Sequence, residues 1–277
     1  MSIGIGFVGE GFSVTATDTR KTKIASYGYR KTGEYSDNAK KTFLTKFGWV
    51  SVTGGVSLST RFFKENLELS GATETDDIYN AWLYSIKRTK DFAQEYVDKK
   101  TEKIVSPETA TSTAICSKNT YESGEFVIGL DVMDFAFSVR SFNEAGTLFI
   151  SNPIRNKKIV KLANKYGETI KIYKYGGLFN RKIIDSTHYI KKNNDIHYAI
   201  FVIASLIDDV SKVAPWVSGI ANMGICYKLS PDEILLMYLN GSTEELKKIY
   251  GEKQDYSEIM MVCGVLNGKP ERMVTHG

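Results

Sequence analysis

The chain has 277 residues, 42% of them hydrophobic and 25% charged, which are the ordinary proportions of a folded globular protein long enough to bury a sizeable core. Its 36 basic and 32 acidic residues leave a net charge of +4, too mild a surplus to argue for nucleic acid as a partner. Cys116, Cys226 and Cys263 are widely separated, which gives neither a disulfide framework nor a short-spaced zinc signature and suits a reducing cytoplasm.

The chain opens on Ser2-Ile3-Gly4-Ile5-Gly6-Phe7-Val8, a turn Gly9-Glu10-Gly11, and a second run from Phe12 to Arg20. Two β-rich runs across a Gly-X-Gly turn predict a hairpin. Residues 40–44 and 49–53 continue the pattern and stop at Gly54-Gly55, so they read as further strands of the same opening sheet. Residues 56–69 then show helical spacing with Ser70-Gly71 as a stop, and residues 73–77 cap a second helix over 78–97, with Ile78, Trp82, Ile86 and Phe92 near one face.

After a polar loop, four short β-rich runs at 113–116, 126–131, 135–139 and 147–150 read as a second sheet. Residues 151–195 are rich in lysine and asparagine, with one strand predicted near 169–175. An apolar helix over 198–213 ends near Pro215, and a strand follows over 217–227. Ser230-Pro231-Asp232-Glu233 reads as the start of a helix running to about residue 239, because proline suits the first helical position and acidic residues the first turn. Another helix is expected over 243–250 and a final strand over 258–266.

The longest apolar run, residues 198–207, is too short to span a bilayer, and the N-terminus lacks the charged-then-apolar pattern of a signal peptide. Gly4-Ile5-Gly6 and Gly9-Glu10-Gly11 are no dinucleotide fingerprint, since no helix follows them. His188, His197 and His276 have no metal-ligand spacing, so neither a cofactor nor a metal is expected.

Four features of the opening stretch belong together chemically. They are a hydroxyl at Ser2, the Asp18-Thr19-Arg20 that closes the second strand, the Lys40-Lys41 pair before the next strand, and the Gly54-Gly55 pair that leads into a helix. In this order they resemble the β-type subunits of proteasomes, which are N-terminal-nucleophile hydrolases. The match is specific over roughly the first 65 residues and architectural beyond them. It implies an α+β fold, a four-layer α-β-β-α sandwich, formed as a single proteasome-like domain over residues 1–277 with a less well matched enlargement at 151–195.

The resemblance also implies roles. A serine hydroxyl is a weak nucleophile until a nearby base activates it. With Met1 removed, as the small residue at position 2 permits, Ser2 would carry both the hydroxyl and a free α-amine of pKa about 7.7–8. Lys41, in preference to Lys40, would supply an ammonium beside that amine; Asp18 and Arg20 would orient it, the Gly54 backbone N–H would bind the oxyanion, and Ser218 would be the supporting serine. The lysine and Gly54 arrive several residues late, which implies a longer loop after Arg20.

Two departures stand out. Tyr175-Gly176-Gly177-Leu178 lacks the serine that relatives carry in a Gly-Ser-Gly turn. Pro215 occupies the place of the acidic residue three positions before Ser218, with Asp208 or Asp209 as the available substitutes. The function implied is hydrolysis of amide bonds in peptides, in the cytoplasm, by a homo-oligomer arranged as a ring or open stack, with an unfolding ATPase as a further partner and neither membrane nor nucleic acid involved. The alternatives are a catalytically silent subunit that keeps the fold for structure or binding, and an acylase for small amides.

Overall fold

The computed structural model describes residues 2–24, 31–44, 48–53, 65–66, 80–81, 84–85, 88, 112–118, 124–129, 137–142, 144–152, 157–176, 182–230, 233–251 and 273–276. In chain order its elements are β1 (Gly4–Gly9), β2 (Phe12–Asp18), β3 (Lys21–Ile24), β4 (Lys31–Ser36), β5 (Thr42–Leu44), β6 (Gly48–Thr53), β7 (Ser112–Lys118), β8 (Gly124–Gly129), β9 (Phe137–Phe142) and β10 (Thr147–Asn152). There follow α1 (Lys157–Ala163), β11 (Glu168–Gly176), β12 (Lys182–Tyr189), α2 (Ile196–Val213), β13 (Ile220–Ser230), β14 (Glu233–Ser242), α3 (Thr243–Gly251) and β15 (Met273–His276).

The opening hairpin forms as its sequence predicts. β1 and β2 pair antiparallel from Gly4 opposite Thr17 to Gly9 opposite Phe12, leaving Glu10 and Gly11 as the loop. Gly11 adopts φ +78°, a left-handed conformation that glycine takes without a Cβ clash.

This hairpin lies at the centre of an eight-stranded antiparallel sheet, in the order β11-β12-β10-β1-β2-β13-β14-β15. A second sheet runs β5-β6-β7-β8-β9, and β3 and β4 form a separate two-stranded ribbon.

Alternation along the central strands gives the large sheet two different faces. Ile3, Ile5 and Phe7, then Phe12, Val14 and Ala16, and Ala221, Met223 and Ile225 form one continuous core with Val202, Ile203, Leu206 and Val210 of α2. The opposite face carries small and polar residues and meets the second sheet. There Thr17 Oγ1 lies 3.4 Å from Thr42 Oγ1, which in turn lies 2.8 Å from Ser51 Oγ. The Trp49 side chain packs closely on the backbone at Gly224, where a Cβ would sit 2.4 Å from it, and Trp49 Nε1 donates to the Ile225 carbonyl at 3.2 Å. An indole can reach across between the sheets because glycine stands opposite it.

The layers among the described residues are therefore helix, sheet and sheet, an α+β arrangement. The stretch expected to give the fourth layer, residues 56–97, lies largely outside the described residues; Glu65, Asn66, Asn80, Ala81, Tyr84, Ser85 and Arg88 within it are helical.

Three expectations are corrected. The runs at 40–44 and 49–53 do not extend the opening sheet: β5 and β6 belong to the second sheet, with Trp49 opposite Ser117. The β3–β4 ribbon, which the sequence reading missed, comes between the two sheets in chain order. Residues 147–150 do the reverse, lying in the large sheet beside β1 with Leu148 opposite Phe7 and Ile150 opposite Ile5. Leu148 and Ile150 thereby join the core under α2. The helix expected over 231–239 is instead strand β14, which folds back on β13 with Ser230 opposite Glu233. Pro-Asp suits a chain reversal as well as a helix start, and an apolar run too short for a period to show is ambiguous. β12 and α1 were not anticipated, and the strand expected over 258–266 lies outside the described residues.

A buried polar group on the large sheet gives a testable pH dependence. His188 is fully buried, with Nε2 2.8 Å from Ser186 Oγ and Nδ1 3.3 Å from Thr169 Oγ1, and burial pushes its pKa down to about 4. Between that value and the ordinary 6.5 the unfolded chain binds a proton that the folded chain refuses, so stability rises with pH across this window and falls as the solution is acidified. The loss on going from pH 7 to pH 4 is expected to be roughly 2–3 kcal/mol. Urea unfolding of the parent and of His188→Gln checks it, since the variant should lose that part of the slope.

Candidate active site

Strand pairing begins the site. Because Gly4 stands opposite Thr17, the residue before β1 falls beside the last residue of β2, and the Ile3 N–H donates to Asp18 Oδ1 at 3.2 Å. Ser2 is thereby held at one end of the large sheet. Lys41 comes from the second sheet, immediately before β5, and the Val52 N–H fixes its carbonyl at 3.0 Å. The Lys41 side chain crosses the gap: Nζ donates to Ser2 Oγ at 2.6 Å and to Asp18 Oδ1 at 3.1 Å. Ser2, Asp18 and Lys41 are all buried.

A carboxylate taken out of water must be paired and hydrogen-bonded. Asp18 meets this fully. Besides Lys41 and Ile3 on Oδ1, its Oδ2 accepts from the Arg20 N–H at 2.9 Å and from the Ser218 N–H at 3.3 Å. Four donors occupy its four acceptor directions, leaving the group one orientation. Burial lowers the Lys41 pKa below the ordinary lysine value, while the charge of Asp18 and its hydrogen bond work against that shift. The result is an ammonium closer to giving up its proton than an exposed lysine is, set against a hydroxyl.

Ser218 lies on the turn between α2 and β13. Its Oγ accepts from the Thr19 N–H at 3.0 Å, lies 2.9 Å from Thr19 Oγ1 and donates to the Ile220 carbonyl at 3.2 Å. It therefore supports the strand end that carries Asp18 and does not itself approach Ser2.

The structure thus brings Ser2, Asp18, Lys41 and Ser218 together, along with the Arg20 main chain. The Arg20 guanidinium is engaged elsewhere: Nε and Nη2 donate to the two oxygens of Asp37 at 2.6 and 2.7 Å, and Nη1 to the Pro215 carbonyl at 2.6 Å. The side-chain role expected for Arg20 beside the lysine is corrected accordingly, since its contact with the site is the backbone N–H to Asp18. Lys40 is exposed, with its ammonium 5.1 Å from the centre of the Tyr238 ring. Successive residues of an extended chain point to opposite sides, which separates the two lysines. Gly54 lies outside the described residues.

Neither offered substitute for the acidic residue at Pro215 joins the cluster. Asp208 binds Lys212, Lys247 and Thr243 at 2.7, 2.5 and 3.3 Å, tying α2 to α3, and Asp209 pairs with Lys165 at 2.9 Å. Two residues escaped the sequence reading. Thr19 sits unmarked inside the Asp-X-Arg pattern, and Asp37 carries no signal beyond a charge in the loop ahead of Lys41.

The architecture, a large antiparallel sheet with a second sheet and helices, is compatible with the fold that the sequence resembles. No family model and no curated protein matches the chain. Solved structures do match it, and over nearly its whole length. Anbu from Hyphomicrobium sp. strain MC1 superposes with a TM-score of 0.54 at 8% identity, covering 94% of this chain and 96% of that one. A Gly-1 mutant of the same protein gives 0.52 at 9% identity, covering 95% and 96%. Anbu, an ancestral beta-subunit, from Yersinia bercovieri gives 0.53 at 9% identity, covering 96% and 98%. The likeness is one of fold.

Proposed function

We propose that the chain is an amide-bond hydrolase in which Ser2, exposed as the N-terminal residue after removal of Met1, attacks a peptide carbonyl. The observation that carries this reading is the 2.6 Å contact from Lys41 Nζ to Ser2 Oγ, with the same ammonium 3.1 Å from a buried carboxylate. The hydroxyl would pass its proton to the neutral α-amine or to neutral Lys41 as the Oγ–C bond forms. The protonated base would then return that proton to the leaving amine. Water would cleave the resulting seryl ester, regenerating Ser2. Asp18 keeps Lys41 in place throughout, and the N–H of Gly54 is the donor that the reading assigns to the oxyanion. One structural neighbour is described as an ancestral beta-subunit; by that likeness we read this chain as a subunit of a homo-oligomer.

The test is the intact mass of untagged protein before and after exposure to a fluorophosphonate or β-lactone probe. Loss of one methionine mass and a single adduct on Ser2 are expected, with no adduct on Ser2→Ala. Equal labelling of Ser2→Ala would refute the mechanism. A second reading, a silent subunit, has Pro215 in its favour, because a carbonyl stands where the resemblance implies a carboxylate. Retained Met1 with no adduct would support it.

A further inference from the structure

A carboxylate from elsewhere in the chain is linked to the Pro215 turn through Arg20. Asp37 lies just past β4, and the Ala39 N–H binds the Thr19 carbonyl at 3.0 Å, which pins this segment alongside residues 18–20. Both Asp37 oxygens accept from Arg20, at 2.6 and 2.7 Å, in the planar two-bond geometry that fixes a guanidinium in one orientation. Tyr35 lies over the guanidinium, 3.8 Å from its carbon to the ring centre. The third arm, Nη1, holds the Pro215 carbonyl at 2.6 Å. Three residues further on, the Ser218 N–H binds the same Asp18 oxygen as the Arg20 N–H does. One arginine therefore grips the central carboxylate with its main chain and the Ser218 turn with its side chain, and Asp37 sets the angle between the two grips.

We propose that Asp37 and Arg20 are a positioning pair that holds the Pro215–Ser218 turn against Asp18 and, through Asp18, sets the placement of Lys41 on Ser2. The pair does the work of the carboxylate that the turn itself lacks. No hydrogen bond runs from either side chain to Ser2 or Lys41, so apart from their charge both act through Asp18 and the turn. The rate readout below rests on Ser2 being the nucleophile; the titration readout does not. The charged groups acting on Lys41 are Asp18, Asp37 and Arg20: the two carboxylates raise its pKa, and Arg20 joins burial in lowering it.

The experiment uses the full chain and the variants Asp37→Asn, Asp37→Glu and Arg20→Gln. It measures the rate of fluorophosphonate labelling against pH, and separately the Lys41 titration by lysine-selective NMR without any probe. Asp37→Asn should slow labelling at least tenfold and move the acidic limb of the profile to lower pH, because the Arg20 charge then faces Lys41 uncompensated. Arg20→Gln should also slow labelling but move the limb to higher pH. Asp37→Glu should restore the position of the limb. The Lys41 titration should shift in the same directions. A pair acting on Lys41 by charge alone would move the limb and the titration but leave the labelling rate at the plateau unchanged, so the tenfold loss there is the readout of positioning. Labelling and titration like those of the parent in Asp37→Asn would overturn the proposal. If the parent fails to label, the hydrolase reading falls and the Lys41 titration alone decides on the pair. If Arg20→Gln does not fold, the two Asp37 variants decide.

Discussion

Asp18→Asn is expected to cost about 3–5 kcal/mol of stability, the largest effect of any single substitution near the site. The reason lies in what the carboxylate faces. Its two oxygens accept from Lys41, Ile3, Arg20 and Ser218, every one of them a donor. An asparagine keeps the shape but presents an NH₂ toward one pair of these donors, whichever way it is turned, and removes the charge that balances Lys41. A buried ammonium without its counter-ion then remains, together with two donors lacking an acceptor: the Arg20 and Ser218 N–H groups in one orientation, Lys41 Nζ and the Ile3 N–H in the other. Urea unfolding should show a lower midpoint at unchanged slope. A midpoint equal to the parent's would mean that the ion pair contributes nothing net.

Lys41→Met is expected to act in the other direction, with a large effect on chemistry and a smaller one on the fold. Methionine replaces the aliphatic stem, and Asp18 keeps its three backbone donors. The expected loss is in the probe labelling of Ser2, by about 10²–10⁴-fold, the usual contribution of a positioned proton-transfer group. Lys41→Arg should not rescue it, because a guanidinium holds its proton at any accessible pH and its fork does not fit a site built around a point charge. Labelling of Lys41→Met at the parental rate would leave the 2.6 Å contact without a chemical role.

The site's residues were legible in the sequence to different degrees, and chain geometry explains the differences. Ser2 and Asp18 were joined in the sequence only by resemblance; in the structure a two-residue hairpin loop fixes the register of β1 on β2, and register brings them side by side. Lys41 could be ranked above Lys40 only by resemblance; in the structure the two point to opposite sides, and one is buried while the other is exposed. Sheet membership was the weak point. Residues 40–53 and 147–150 were assigned to the wrong sheets because alternation reveals a strand but not its neighbours. What decides the neighbours is complementarity across faces, as with Trp49 lying on Gly224, a contact 175 residues apart in the chain. Asp37 was invisible for a related reason. A lone aspartate in a loop acquires meaning only when a distant guanidinium arrives beside it.

The Ser2 hydroxyl and the Lys41 amine stand on different sheets. Ser2 belongs to the layer under α2 and Lys41 to the layer across the gap, and only docking of the two layers brings them within 2.6 Å. A nascent or half-folded chain therefore carries a serine with no partner lysine. On the proposed mechanism such a chain would lack the lysine's part in activating Ser2, so full labelling of Ser2 would report that both layers have closed.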